Sequence, residues 1–347
     1  MLIVGTVPNI QLLLCMLSAL DTPNSHCSGF VHSFSPAMIT ILPADLSHRD
    51  RHQLLLSGVA PRPIALVSTI DEHGIVNLSP FSFFNAYSSK PPIVAIGPAI
   101  SAKTGAEKDT YRNLLTTKEA TISMCSYSMV EALNLASCEY APIVDEFEKS
   151  GLHKRSSHIV TPPHVVESPF VLECTLMQNI ELRRDIGGNG NLMLLEVVAF
   201  HVSESVLTEG RADPRKMDLV ARMGYDWYAR ASADTVFEVV KPKWNGIGVD
   251  TLPEHIRLSD VLTGNDLAKL GGVQELPMYD GSFPRFDTTF SADRLDIEIA
   301  CERPEAALFV AMNDPERRHD RRTLHQIAQI FLRQNRVNDA WQTLLME

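Results

Sequence analysis

Between Arg62 and Thr110 the chain reads RPIALVSTIDEHGIVNLSPFSFFNAYSSKPPIVAIGPAISAKTGAEKDT, an order of residues that few folds accommodate. An apolar, β-branched run from Pro63 to Ile70 breaks at Asp71-Glu72-His73-Gly74. That is the pattern of a strand, a tight turn with glycine where positive φ is needed, and a second strand. The second strand feeds a segment dense in hydroxyls (Ser79, Ser82, Ser88, Ser89) interleaved with Phe81, Phe83, Phe84 and Tyr87. Pro91-Pro92 ends it, a third apolar run spans Ile93 to Ile96, and Lys108-Asp109-Thr110 opens a helix after a small polar loop.

The remaining β pattern is antiparallel. Ala120 to Ser126 reads as a short strand. In Val171 to Leu182, Leu172, Cys174, Leu176 and Ile180 alternate against Glu173, Thr175 and Asn179, which predicts a half-buried strand with the second set on its polar face. Gly187-Gly188-Asn189-Gly190-Asn191 signals a hairpin, and the return strand, Leu192 to Val202, is apolar on both parities. Short helices are expected over Asp109 to Lys118, capped by Asp109 or Thr110, and over Met129 to Ala136. The stretch from Ser137 to Pro163 reads as polar and irregular.

The SPFSFFNAYSSKPP block, the Lys108-Asp109-Thr110 helix start and the later Met223-Gly224-Tyr225-Asp226-Trp227-Tyr228 segment together resemble the flavin reductase-like family. The resemblance is co-linear and runs to about Val240. It implies a mainly β protein with short helices, an FMN-binding split β-barrel, followed here by a C-terminal helical extension. It also implies FMN as cofactor, NADH or NADPH as hydride donor, and a homodimer that builds each flavin site at the subunit interface. A separate monooxygenase taking up reduced flavin is a partner consistent with that family.

The site residues follow from the same motifs. FMN brings a phosphate dianion, and Lys108 and Thr110 at a helix start supply a cation, a hydroxyl and N-terminal amides together. Ser101 and Lys103 in the preceding loop are placed to close over the same group. Taken alone, these residues also describe an ordinary capped helix with a surface lysine. Ser79, Phe81, Ser82, Asn85 and Ala86 match the family's flavin stretch, with Asn85 nearest the ring edge. Three phenylalanines at near-adjacent positions must point to both faces of a strand, so at least one belongs to the core. Tyr228 is the best match in the glycine-aromatic motif. On the return strand, His201 matches a position where related reductases place a histidine beside the nicotinamide, a catalytic assignment. Glu196 lies on the opposite parity and is either a functional carboxylate or a salt-bridged core residue.

Composition narrows the classes. A formal net charge of −11 argues against general nucleic-acid binding. Six cysteines without CxxC spacing suggest neither a zinc site nor a disulfide framework, so no metal is expected and a reducing, cytoplasmic setting fits. Gly246-Ile247-Gly248 has a poor context for a dinucleotide fingerprint, and there is no Walker A motif. The apolar run from Ile10 to Leu20 is too short to span a bilayer, so no membrane partner is expected. Four segments are expected: a poorly ordered extension over 1–50, the barrel over 51–243, a loop-rich extension over 244–281 with a helix near Gly264 to Leu270, and a helical tail over 282–347. In that tail, Arg321 to Phe331 and Val337 to Met346 read as amphipathic helices. Its arginines 317, 318, 321 and 322 suit either a solvated face or an anionic partner. Two other functions stay open: an FMN-binding or interaction module without turnover, and a reductase of another acceptor that keeps FMN as a prosthetic group.

Overall fold

The computed structural model describes residues 38–101, 104–182, 190–241, 245–286 and 294–347. The Ile10–Leu20 run, Lys103 and the Gly187–Asn189 hairpin tip lie outside them. The chain divides into two compact units after Val236.

In the first unit, helix α1 (His48–Gly58) precedes β1 (Arg62–Pro63), β2 (Ala65–Ile70), β3 (Val76–Phe81), β4 (Phe84–Ser89) and β5 (Pro92–Ile96). Helix α2 (Asp109–Thr117), β6 (Glu119–Met124), α3 (Val130–Ala136) and α4 (Glu146–Ser150) follow. Next come β7 (Lys154–Arg155), β8 (His164–Val165), β9 (Phe170–Glu181) and β10 (Asn191–Val202). The unit ends with a small hairpin, β11 (Leu207–Thr208) and β12 (Arg211–Ala212), helix α5 (Pro214–Met217), and the hairpin β13 (Leu219–Arg222) and β14 (Tyr228–Ala231). The turn after β2 forms as its residues dictate. Asp71 Oδ1 accepts the amides of His73 and Ile75 at 2.9 and 2.8 Å, and Gly74 takes φ +85°.

Seven antiparallel strands make one sheet in the order β3-β2-β6-β9-β10-β5-β4. Its edge strands, β3 and β4, are separated only by Ser82 and Phe83, so the sheet has to curl and bring its edges together at that corner. The result is a split β-barrel. Period-two alternation then sorts the side chains. Ala65, Val67, Phe81, Ile122, Leu172, Cys174, Met193 and Leu195 fill the interior with Tyr111 and Leu114 of α2. Leu66 and Leu78 point outward beneath Met129, Leu133, Ala136 and Phe147 of the α3–α4 region.

Three local expectations are corrected. Lys108, not Asp109 or Thr110, occupies the α2 N-cap position, and no side chain caps the helix. Thr110 is 1% exposed, and its hydroxyl accepts from Asn77 Nδ2 at 2.9 Å in a buried group with Thr69 and Asn113. Glu173, expected on a polar face, is fully buried, because the 137–163 segment (which includes α4 and β7) folds back over it. Its carboxylate accepts the amides of His158, Ile159 and Val160 at 2.6, 2.6 and 2.9 Å, and His201 Nε2 at 2.6 Å. Finally, a bulge between Val197 and Ala199 re-phases β10. Glu196, Ala199 and His201 therefore oppose Thr175, Glu173 and Val171, and Glu196 and His201 share the outward face instead of opposing ones.

The second unit consists of α6 (Glu254–Arg257), α7 (Gly264–Leu270), α8 (Leu295–Ala300), α9 (Pro304–Asn313), α10 (Arg321–Arg333) and α11 (Val337–Leu344). Thr263 and Asp266 close a reciprocal capping box on α7. Leu252, Ile256, Leu262 and Leu270 join Leu308, Leu324, Phe331 and Trp341 in a single apolar core. The loop-rich residues and the helices after 294 are thus packed as one body. Trp341 is fully buried and donates its indole N–H to Leu270 O at 3.2 Å. Arg317, Arg321 and Arg322 are ion-paired with Asp314, Glu347 and Asp260.

Two outcomes follow from these packings. Burial alone would raise the Glu173 pKa, but its backbone and His201 hydrogen bonds outweigh that and bring it from 4.5 to about 2. Its stabilising contribution is therefore complete above about pH 4.5 and lost as pH falls toward 2. Glu173→Gln costs about 3 kcal/mol at neutral pH and flattens that acid limb of a Tm-versus-pH curve. Trp341→Ala costs about 4 kcal/mol, read by urea denaturation of the full chain as an earlier transition for the second unit.

Candidate functional site

The residues singled out by sequence fall into three places in the first unit. The first is the start of α2. Tyr111 and Arg112 donate their amides to Lys108 O at 3.0 and 3.2 Å, so the N–H groups of Asp109 and Thr110 precede the first helical bonds and carry the positive end of the helix dipole. Lys108 Nζ adds a cation, paired with an exposed Glu139 at 3.4 Å. Ser79 lies two residues beyond Asn77 on the same face of β3, and the Asn77–Thr110 bond sets that face against the helix start. Ser101 closes the preceding loop: its amide bonds Ala106 O at 2.9 Å, its carbonyl accepts Gly105 N–H at 2.8 Å, and its hydroxyl accepts Thr104 N–H at 3.3 Å. A cation, loose amides and a hydroxyl loop suit a phosphate. The Thr110 amide lies at that helix start, while its hydroxyl is turned inward to Asn77.

The second place is the corner where β3 passes into β4. Phe81 belongs to the interior core. Asn85 and Ala86 are exposed on the edge strand, with Asn85 Oδ1 accepting the Ala86 amide at 2.8 Å. Ser82 lies 3.4 Å from Nε of Arg62, a residue to which the sequence alone assigned no role. Arg62 is 5% exposed and reaches Leu56 O and Val59 O at 2.6 Å each and Met223 O at 2.8 Å. Burial first, and the neighbouring Arg222 second, lower its pKa. One guanidinium therefore ties the C-terminal carbonyls of α1, the β3–β4 corner and the β13–β14 hairpin together. The hairpin presents Tyr228, half-buried with the Arg222 guanidinium 4.6 Å from its ring centroid. The available signal was an arginine between Pro61 and Pro63, where the chain cannot continue a helix.

The third place holds His201. It stacks on His164 with ring centroids 5.0 Å apart and bonds the buried Glu173. An ionised carboxylate only accepts, so Nε2 carries the proton in this pair. His164 is 5% exposed and its Nδ1 has no hydrogen-bond partner among the described residues; burial, His201 and Arg155 together lower its pKa. His201 is on the outward face of β10, whereas Ser79 pairs with Val67 on the interior face. Within one chain, then, His201 is not gathered with the helix-start group. Glu196 is half-buried on the same outward face.

Replacing Arg62 tests the corner. Arg62→Met strands three carbonyls and lowers stability by about 3 kcal/mol, measured by chemical denaturation. Arg62→Lys recovers only part of the loss, since a compact ammonium cannot span the three acceptors.

Comparison with known proteins agrees with this architecture. Residues 57–220 match the family described as flavin reductase like domain. An uncharacterized protein of Aquifex aeolicus is 32% identical over 189 residues, 54% of this chain and 93% of that protein. The uncharacterized protein YwrF of Bacillus subtilis is 32% identical over 200 residues, 57% of this chain and 96% of its own length. Among solved structures, nitrilotriacetate monooxygenase component B from Bacillus cereus superposes with a TM-score of 0.55 at 28% identity, covering 60% of this chain and all of that one. The 2-nitrobenzoate 2-nitroreductase NbaA of Pseudomonas fluorescens shares the fold, with a TM-score of 0.53 at 24% identity, over 60% of this chain and all of that one. No helix among the described residues is long and apolar enough to cross a membrane. A split barrel whose matched segment includes the hydroxyl-rich corner and the α2 start places this chain in the flavin reductase-like family, as a flavin-related oxidoreductase.

Proposed function

We propose that the protein is an NAD(P)H-dependent FMN reductase acting as a homodimer. The observation that carries this reading is the α2 start: Lys108 and the leading amides together, with the β3 face that carries Ser79 joined to them through Asn77 and Thr110, after a loop closed by Ser101. In this reading Lys108 and the amides of Asp109 and Thr110 hold the FMN phosphate, and the loop closed by Ser101 borders it. The Ser82–Ala86 segment, with Asn85, offers hydrogen bonds to the polar edge of the ring, and Tyr228 with Arg62 closes the corner behind it. Bound FMN supplies the two-electron redox chemistry; the protein's part is placement and exclusion of water. His201, oriented by Glu173, meets the nicotinamide. Because His201 is remote from the helix-start group within one chain, a site completed by a second copy fits better than one built from a single copy. The exposed edge strand β4, with Tyr87 at 64% exposure, and Phe83 just before it, at 42%, form the surface for that contact. The component B relative favours delivery of reduced flavin to a separate monooxygenase.

The visible spectrum of the protein with FMN tests the reading. Perturbed flavin bands that bleach under anaerobic NADH or NADPH are expected. Perturbed bands that neither nucleotide bleaches would move the protein to a flavin-binding module, and unperturbed bands would remove the flavin site. Lys108→Ala is expected to weaken FMN binding about tenfold, the loss of one charge-assisted phosphate contact, with little change in Tm. Sedimentation velocity of the wild type should show a dimer.

A further inference from the structure

A buried histidine in the second unit is held in one protonation state by the bonds around it. His325, on α10, is 1% exposed. Its Nδ1 lies 2.6 Å from Ser259 Oγ, and its Nε2 lies 2.7 Å from Glu347 Oε1. Ser259 Oγ also accepts the amides of Val261 and Leu262, each at 3.1 Å. Both hydroxyl lone pairs are then filled, so the hydroxyl hydrogen is donated to His325 Nδ1. A carboxylate only accepts, so Nε2 carries the ring's proton. His325 is therefore the neutral Nε2–H tautomer. A second proton, on Nδ1, would aim three donors at one oxygen and leave the hydroxyl hydrogen without an acceptor. Burial, the largest influence, lowers the His325 pKa; Glu347 raises it, and His255 and Arg321 lower it further.

The charges around His325 are otherwise engaged. Glu347 is shared: its Oε2 accepts Arg321 Nε at 2.8 Å and lies 3.7 Å from His255 Nε2 of α6. His319 Nδ1 meets Met346 O at 2.9 Å, a bond in which the ring must donate and which survives protonation. Glu254 of α6 and Asp260 line the same surface cleft as His325, and Asp260 is paired with Arg322. Charges from the remaining elements meet α10 further along: Asp266 on Gln329, Lys269 on Leu332 O and Glu302 on Arg333. Glu305 of α9 pairs with Arg336, beyond the end of α10. We propose that Ser259, His325 and Glu347 form a pH-sensitive clasp, closed while His325 is neutral and opened when its Nδ1 takes a proton. The partner released is the 259–262 turn, which carries Leu262, 6% exposed within the core of the second unit. Acidification thus frees the turn and uncovers apolar surface beside α10. The clasp's stabilising contribution is complete above about pH 6.5, the ordinary histidine value, and is lost as the pH falls through the lowered one.

Hydrogen exchange and histidine NMR of the full chain test the clasp. Protection of the Val261 and Leu262 amides, corrected for the intrinsic rate, is expected to fall about tenfold between about pH 8 and 5. In His325→Gln, whose amide keeps an acceptor and a donor without titrating, that fall is expected to vanish. In Ser259→Ala the His325 imidazole is expected to titrate at higher pH than in wild type, since no hydroxyl then stabilises the neutral ring. Plain burial would leave that titration in place. Wild-type protection that stays constant down to about pH 5 would overturn the clasp. So would the same pH-dependent loss in His325→Gln, or a His325 titration in Ser259→Ala no higher than in wild type. A wild-type His325 ring with its proton on Nδ1 at about pH 8 would overturn it as well.

Discussion

One buried guanidinium organises the functional end of the barrel. Arg62 spends its donors on three main-chain carbonyls and one hydroxyl from three segments: two carbonyls at the end of α1, one in the β13–β14 hairpin, and the Ser82 hydroxyl at the β3–β4 corner. Carbonyls at a helix end and at a hairpin tip have no partner within their own elements, so burying them together requires a donor able to reach several at once. A planar fork does this and a point charge does not. With that junction made, the sheet edges meet at Ser82–Phe83, and the β13–β14 hairpin is held to that corner through Arg62.

A second buried charge plays the matching role on the outward face. Glu173 gathers three successive amides and His201, fastening the 158–160 segment onto the sheet. A carboxylate with four donors is stable without water, and this is why a glutamate can stand at a fully enclosed strand position. The same bonds fix the orientation of His201, so the residue's chemistry depends on a partner 28 positions away in the chain. His201 and the β3 face that carries Ser79 lie on opposite faces of the sheet. That separation favours a two-chain site over a single-chain one in the proposed reductase.

The residues after 236 show what composition leaves unsaid about packing. Glycines and prolines between 246 and 277 read as a loop-rich extension with a helix near Gly264 to Leu270, and that helix forms; Leu252, Ile256, Leu262 and Leu270 are in addition as buried as the helices they pack on. A loop of this kind is held by burial and by local caps such as Thr263–Asp266, and neither leaves a periodic signature. The helices themselves were legible, because Arg321–Arg333 and Val337–Leu344 repeat apolar residues at helical spacing.

The amino-acid order by itself determined the antiparallel strands, their turns, the two amphipathic C-terminal helices and the family motifs, since all of these rest on periodicity and turn chemistry within short windows. Only the tertiary structure decided which polar residues went inside. Thr110 is drawn inward by Asn77 from 33 positions away, Glu173 is covered by a segment that reads as loop, and a single bulge moves His201 to the face shared with Glu196. Each depends on a partner brought in by folding, or on one extra residue in a strand that inverts the alternation beyond it. No local pattern encodes either. Arg62 is the clearest case: its neighbours in sequence mark only a turn, and its role exists because the β3–β4 corner and the β13–β14 hairpin are brought to the end of α1 beside it.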